Sequence, residues 1–238
     1  MKLVLFDIDG TLVLTGGAGL RAMNRACAEL VGHADALSGI PVAGRTDRII
    51  LADVVARMNR VLDDELLAVL RDRYLALLRE EILVPGVMPT AEYLGPRGGI
   101  KAVMPGIREL LDALLRRPDV FLGLLTGNFE EGARTKLEHF DLWRYFRCGA
   151  YGDDAEDRNA LVPIAVERAR RNGLPEIAGD QIFVIGDTPH DIACARAAGA
   201  VPVGVATGGF TVEQLRACGA DIVFKDLGNH DGFLELLD

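Results

Sequence analysis

Lysine, cysteine and long hydrophobic runs are scarce in this sequence. The four cysteines stand far apart, without the close pairs typical of zinc or redox sites, so we interpret them as reduced side chains. No apolar stretch approaches the roughly 18 residues of a membrane span. The apolar start is interrupted at Asp7, well short of the roughly 7–15-residue hydrophobic core of a signal peptide. These absences predict a cytoplasmic protein that does not enter a membrane.

The chain is acidic as a whole. Its 238 residues include 35 acidic and 26 basic side chains, a formal net charge of −9. A protein with this charge has no general electrostatic affinity for nucleic acid or for an anionic membrane, so we expect neither as a partner. Hydrophobic residues make up 50% and charged residues 26%, which is typical of a globular chain with one large domain or two unequal ones. We expect a monomer or a small homo-oligomer.

Short apolar runs alternate with helical patterns along most of the chain. Unbroken runs of this length are typical of parallel strands that are buried on both faces. They are found at Leu3–Phe6, Phe121–Leu125, Ile182–Ile185, Val201–Val205 and Ile222–Phe224. Helix signals lie at 106–117, 129–140, 159–171, 189–198 and 212–217. The alternation predicts an α/β fold, namely a Rossmann-like, doubly wound parallel sheet.

One region interrupts this alternation directly after the first strand. Residues 16–84 show helix signals and no convincing strand. Residues 85–104 are rich in proline and glycine, and we interpret them as a linker. We therefore predict an all-helical cap plus linker, residues 16–104, inserted into a discontinuous core made of residues 1–15 and 105–238.

Acidic and hydroxyl side chains follow three of the predicted strands. Asp7 and Asp9 follow the first strand, Thr126 the second, and Asp187 and Asp191 the third. Because ligands bind beyond the carboxyl ends of the strands in an open parallel sheet, we expect these side chains to share one crevice. Carboxylates gathered in one crevice repel each other unless a cation neutralises them. A hard divalent ion with oxygen ligands is therefore expected, and Mg²⁺ suits a site that also holds phosphate oxygens.

The motifs at these strand ends resemble those of a known family. The segment Asp-Ile-Asp-Gly-Thr-Leu at 7–12 is similar to the first motif of the haloacid dehalogenase superfamily of hydrolases. Thr126 resembles the second motif, and Gly-Asp-Thr-Pro-His-Asp at 186–191 resembles the fourth. The order and separation of the motifs match over nearly the whole chain. The helical insert matches the cap that the family places between its first two motifs, a type common in phosphoglycolate phosphatase-like members.

The resemblance implies a role for each motif residue. Asp7 would be the nucleophile that forms an aspartyl-phosphate, and Asp9 would be the general acid and base. Thr126 would hydrogen-bond the phosphoryl group, with help from backbone N–H groups near Gly127 and Asn128. The expected Mg²⁺ ligands are Asp7, the carbonyl of Asp9, Asp187 and, through water or by orienting the loop, Asp191.

The third motif departs from the family pattern. The family usually has a lysine there, but no lysine occurs between Lys136 and Lys225. Arg158 is the best substitute, and it would supply a permanent charge and a forked donor beside the nucleophile. In the predicted cap, Arg45 lies where related caps reach the substrate, and it could pair with a carboxylate or a second phosphate.

Together these expectations describe a Mg²⁺-dependent phosphatase that acts on a small phosphorylated metabolite, with a phosphoglycolate-like ester favoured. A phosphosugar mutase with the same nucleophile and cap is the alternative, and turnover to free phosphate would separate the two. Two non-enzymatic alternatives are a receiver-like signalling module and a relative that binds phosphate without catalysis. The helical insert and the Asp7–Asp9 pair disfavour the receiver-like module, and the intact acidic positions disfavour the non-catalytic relative.

Overall fold

The computed structural model describes residues 1–86 and 99–238, and a six-stranded parallel sheet forms its centre. In chain order the strands are β1 (Lys2–Phe6), β2 (Val13–Thr15), β3 (Lys101–Val103), β4 (Val120–Leu125), β5 (Cys148–Ala150), β6 (Ile182–Gly186), β7 (Val201–Val205) and β8 (Ile222–Phe224). The order across the sheet is β5-β4-β1-β6-β7-β8. The predicted α/β class and doubly wound parallel sheet are confirmed. Strand β5 is missing from the prediction because its three residues form no apolar run.

The α-helices of these residues cover both faces of the sheet and fill the segment between β2 and β3. They are α1 (Ala18–Val31), α2 (Asp47–Arg57), α3 (Asp64–Glu81), α4 (Ile107–Leu115), α5 (Glu130–His139), α6 (Leu161–Arg171), α7 (Pro189–Ala197), α8 (Val212–Ala217) and α9 (Asp231–Glu235). A short 3₁₀ turn at Arg158–Ala160 leads into α6. None of the described helices is both long and apolar enough to cross a bilayer.

Helices α1, α2 and α3 share an apolar core of their own. Leu51, Tyr74 and Leu78 are among its fully or almost fully buried members. Phe129, from the loop after β4, also packs into this cluster and so joins the helical insert to the rest of the protein. The arrangement supports our proposed division into a core of residues 1–15 and 105–238 and a cap of residues 16–104.

The end of the predicted linker has a defined structure. Lys101–Val103 form β3, which pairs in antiparallel fashion with β2, so that Val13 lies opposite Val103. The chain therefore enters and leaves the helical insert through two paired strands. Residues 87–98, the middle of the predicted linker, lie outside the described residues.

Candidate active site

Three neighbouring strands carry the predicted motif residues to the same edge of the sheet. Strand β1 lies between β4 and β6, with Phe6 opposite Leu124 on one side and Ile185 on the other. Asp7 follows β1 directly, Thr126 follows β4, and Asp187 follows β6. Because the strands are parallel and in register, their carboxyl ends meet, and the side chains that follow them lie close together.

Asp7, Asp187 and Asp191 form a buried cluster of carboxylates. Oxygens of the three groups lie within 4.8 Å of one another, and the residues are 5%, 4% and 0% exposed. Burial, reinforced by the charges of Asp191 and Asp9, raises the pKa of Asp7 to about 6 even though Arg158 opposes the shift. Burial and the charges of Asp7 and Asp191 raise the pKa of Asp187 well above its usual range. Such a cluster favours protonation or a bound cation.

The donors of this cluster fit a hard divalent ion. Three carboxylates converge, and oxygen ligands of this kind suit Mg²⁺. Gly10 leaves room beside Asp187, since a Cβ at this left-handed residue (φ +85°) would lie 2.6 Å from Asp187 Oδ2. Asp191 is different, because both of its oxygens already accept hydrogen bonds, Oδ1 from Arg158 and Oδ2 from the backbone N and the hydroxyl of Thr188. Asp191 is thus better placed to orient the loop than to bind an ion directly.

Arg158 lies beside the nucleophile expected from the sequence. Its Nη2 is 3.0 Å from Asp7 Oδ1 and also contacts Asp191, while Nη1 donates to the carbonyl of Gly44 at 3.0 Å. The residue is 7% exposed. Burial opposes its charge, but the carboxylates of Asp191 and Asp7 outweigh this and raise the pKa of Arg158. A permanent cation therefore faces the cluster, at the position where the sequence predicts a substitute for the missing lysine.

The Asp9 side chain points away from the carboxylate cluster. Its Oδ2 accepts hydrogen bonds from Asn128 Nδ2 at 2.8 Å and from Lys136 Nζ at 2.6 Å. Asn128 also donates to Thr126 Oγ1 at 2.8 Å. The Asp9 carboxylate is not part of the cluster of Asp7, Asp187 and Asp191, and the family resemblance implies that Asp9 would contact the metal through its backbone carbonyl. The arrangement joins the predicted acid–base residue to the predicted phosphoryl-binding threonine.

Lys136 is a site residue that sequence reasoning missed. It is 4% exposed and lies on the inward face of α5, between Ala133 and Leu137. The available signal was a lysine within the apolar stripe of an otherwise polar helix, because a fully buried lysine is rare unless it is paired. Its partner Asp9 is far away in the sequence, so the contact depends on the packing of α5 against the end of β1.

Comparison with known proteins agrees with this geometry. The family model described as haloacid dehalogenase-like hydrolase matches residues 1–199. This chain belongs to the haloacid dehalogenase-like hydrolases. It is therefore an enzyme of the hydrolase class.

Individual relatives cover almost the whole chain. A phosphoglycolate phosphatase of Rhodospirillum rubrum is 31% identical over 241 residues, which cover 98% of this chain and 91% of the relative. A solved hydrolase of Pseudomonas syringae has a TM-score of 0.67 at 21% identity and covers 99% of this chain and 98% of its own. A solved structure described as a β-phosphoglucomutase of Thermotoga maritima, at 19% identity, has a TM-score of 0.60 and covers 99% of each chain. At these identities the two structures show a shared fold.

The start of α5 and the hydrogen bonds of the backbone N–H groups after β4 differ from what the sequence predicts for this hydrolase. Helix α5 begins at Glu130, one residue later than predicted. The N–H groups of Phe129 and Glu130 already donate to Asp47 Oδ2 and Asp153 Oδ2. The backbone N–H of Asn128 faces Thr126 Oγ1 at 3.4 Å. The help that backbone N–H groups near Gly127 and Asn128 would give to phosphate binding stays a prediction.

The cap of the hydrolase is seated on the core. The backbone N of Asp47 donates to the carbonyl of Gly127 at 2.8 Å, and Thr46 Oγ1 lies 3.3 Å from the carbonyl of Glu156. Gly127 permits this approach, because a Cβ there would lie 2.2 Å from the carbonyl oxygen of Arg45. A glycine is therefore required at this point for the cap loop to reach the second motif.

A cavity of about 320 Å³ lies between the cap and the ends of the strands. Asp7, Asp9, Thr126, Lys136 and Arg158 contribute to its wall from the core, and the cap adds mostly apolar side chains, among them Leu20, Met23, Ile50 and Tyr74. Arg45 also lines it, but its Nη1 lies 2.7 Å from Asp53 Oδ2 and donates to the carbonyl of Pro41 at 2.9 Å. The guanidinium of Arg45 is thus already paired, and its role toward a substrate stays a prediction.

Proposed function

We propose that this hydrolase is a Mg²⁺-dependent phosphatase that cleaves small phosphate monoesters through an aspartyl-phosphate on Asp7. The observation that carries the proposal is the set of groups around Asp7. A buried carboxylate at the base of a small cavity has Arg158 at 3.0 Å, Asp187 and Asp191 beside it, and the Asp9–Asn128–Thr126 network along the wall. In this proposal the set supplies a nucleophile, a cation and an acid–base group around an entering phosphoryl group.

The proposed chemistry has two displacements at phosphorus. In the first, an oxygen of Asp7 forms a bond to phosphorus while the bond to the ester oxygen breaks, and Asp9 transfers a proton to that leaving oxygen. In the second, water attacks the phosphorus of the aspartyl-phosphate, Asp9 takes a proton from the water, and Asp7 leaves as a carboxylate. The products are the alcohol, which carries the first proton of Asp9, and inorganic phosphate, and Asp9 is protonated again by the proton that it takes from water.

Positive charge is required throughout, because phosphoryl transfer depends mainly on positioning and charge stabilisation. Arg158 would stabilise the ionised form of Asp7 and the phosphoryl oxygens, while Thr126 would donate its hydroxyl proton to one of them. Asp7, Asp187 and the carbonyl of Asp9 would hold Mg²⁺, and Asp191 would orient Arg158 and the loop at Thr188. When bound, Mg²⁺ supplies charge that neutralises the cluster and the phosphoryl oxygens.

A small phosphorylated metabolite is the substrate that we propose. The cavity of about 320 Å³ has room for a compact ester, and a relative at 31% identity is named phosphoglycolate phosphatase. We therefore place 2-phosphoglycolate first among candidate esters.

The cysteines of the described residues are all free thiols, which supports a reducing, cytoplasmic location.

The test is a screen of small phosphate esters in which released inorganic phosphate is measured with Mg²⁺ and with excess chelator. We expect Mg²⁺-dependent release that is abolished in Asp7→Asn, with 2-phosphoglycolate ranking high by kcat/KM. Full activity in chelator would contradict the metal assignment. Conversion of a sugar phosphate into its isomer without release of phosphate would favour the mutase alternative.

A further inference from the structure

Lys136 places a positive charge inside an apolar helix face. The residues that α5 turns inward are Gly132, Ala133, Lys136 and Leu137. Burial of an ammonium group is unfavourable unless hydrogen-bonded partners compensate for the lost water. A methionine of similar length would pack at this position without that penalty. The presence of lysine is therefore unexplained by packing alone.

The partners of Lys136 show what the charge does. Its Nζ donates to Asp9 Oδ2 at 2.6 Å and to Asn128 Oδ1 at 2.5 Å. With its oxygen facing the ammonium group, the Asn128 amide must turn its NH₂ toward the other side, where it donates to the same Asp9 oxygen and to Thr126 Oγ1. Lys136 thus contacts Asp9 directly and also fixes the amide that makes the second contact.

The two oxygens of Asp9 are held differently. Oδ2 receives both of these hydrogen bonds, whereas within residues 1–86 and 99–238 no donor reaches Oδ1. The Asp9 side chain is 44% exposed, and the residue lines the cavity. One oxygen is therefore anchored to the protein, and the other is free to meet a ligand.

We propose that Lys136 is a positioning residue which, together with Asn128, anchors Oδ2 of Asp9 and so presents Oδ1 to the leaving oxygen of the substrate. This inference rests on the proposed function, in which the proton passes from Asp9 to the ester oxygen as its bond to phosphorus breaks. The proton leaves from Oδ1, and Lys136 keeps its own protons. Correct placement of a reacting group contributes strongly to rate, so a rotated Asp9 carboxyl would transfer its proton poorly.

A direct role in substrate binding predicts something different. Lys136 lines the cavity, so its charge could instead pair with a carboxylate on the substrate. A binding role depends on the charge of the substrate, whereas a positioning role depends on how much the leaving oxygen needs a proton. The two roles can therefore be separated by the choice of ester.

The experiment measures kcat/KM of wild type and Lys136→Met on three esters. Ethyl phosphate has an alkoxide leaving group and no second charge, 2-phosphoglycolate has an alkoxide leaving group and a carboxylate, and 4-nitrophenyl phosphate releases a phenolate that is stable without a proton. Lys225→Met, at an exposed lysine that follows β8, is the matched control. Ratios between esters within one preparation do not depend on how much of the variant is folded.

We expect the kcat/KM of Lys136→Met on both alkyl esters to fall about tenfold or more beyond its fall on 4-nitrophenyl phosphate. The reason is that general acid–base catalysis accelerates such reactions by roughly 10²–10⁴-fold. Lys136→Arg, which keeps the charge and the donors, should recover part of this difference. Equal losses on all three esters would indicate a structural role and overturn the proposal, as would a loss confined to 2-phosphoglycolate. Wild-type inactivity on every ester would instead contradict the proposed phosphatase function.

Discussion

Removal of Arg158 should destabilise the metal-free enzyme in a pH-dependent way. In Arg158→Met, the buried carboxylates of Asp7 and Asp191 lose the guanidinium that contacts both. Removing one partner of a buried ion pair lowers the free energy of unfolding by about 3–5 kcal/mol. At about 2–4 °C per kcal/mol for a chain of this length, the melting temperature should fall by about 6–20 °C. Arg158→Lys should lose less, because it keeps a charge of shorter reach.

The dependence on pH follows from the raised pKa of Asp7. That pKa is about 6 in the folded protein, against an ordinary value of 3.8, so the folded state binds the proton more tightly than the unfolded state. Stability without metal therefore falls as the pH rises from about 4 through about 6. Without Arg158 the pKa of Asp7 in the folded state rises further, and the fall in stability therefore extends to higher pH. The difference between wild type and Arg158→Met should thus be larger at pH 8 than at pH 5.

The assay is thermal unfolding in excess chelator at both pH values, with Arg171→Met as the control. Arg171 forms an exposed pair with Glu167 on α6, and such pairs are worth at most about 1 kcal/mol. Arg158→Met should also lose most of its phosphatase activity with Mg²⁺ present. Equal destabilisation at pH 5 and pH 8, or an effect no larger than that of Arg171→Met, would refute this account of the Arg158 contacts.

Two further predictions concern the metal and the cap. Saturating Mg²⁺ should stabilise wild type by about 2.7 kcal/mol at 100 times its Kd. Asp187→Asn should gain little from Mg²⁺ in a thermal melt, and in chelator at pH 8 it should be more stable than wild type, because burial and the neighbouring carboxylates disfavour the ionised form of Asp187 and raise its pKa. An undiminished Mg²⁺ shift would exclude Asp187 as a ligand. Gly127→Ala should lower kcat/KM by about 5- to 150-fold, because overpacking against the Arg45 carbonyl costs about 1–3 kcal/mol. Gly232→Ala, whose Cβ would lie 3.6 Å from Phe224, should change kcat/KM little. A kcat/KM of Gly127→Ala equal to that of wild type would show that the cap does not need this contact.

The sequence contains most of the information that fixes the sheet and the acidic edge. Apolar runs mark five of the six strands, and the parallel arrangement then requires Asp7, Thr126 and Asp187 to meet. The sheet and its acidic edge follow from local pattern and from a topology with few alternatives. Arg158 needed the family resemblance as well, because only the resemblance calls for a cation at the third motif, and the structure then brings its guanidinium into contact with Asp7 and Asp191.

Other features depend on packing between distant segments. The Lys136–Asp9 pair joins a helix to a strand end far away in the sequence, and no local pattern specifies that contact. The guanidinium of Arg45 turns to Asp53 within the cap, a choice between side-chain conformations that the residue type does not determine. Strand β3 forms because it pairs with β2, which lies on the other side of the helical insert in the sequence. The proline- and glycine-rich composition around β3 does not reveal this distant partner and predicts only a linker.

The most direct test of the account is to identify the residue that becomes phosphorylated during turnover. Wild-type enzyme is mixed with substrate and Mg²⁺, quenched in acid within one turnover, digested and analysed by mass spectrometry. We predict one phosphoryl group on Asp7, formed and lost at rates that match turnover, and none in Asp7→Asn. Turnover without a phosphorylated enzyme, or a phosphoryl group on another residue, would contradict the mechanism.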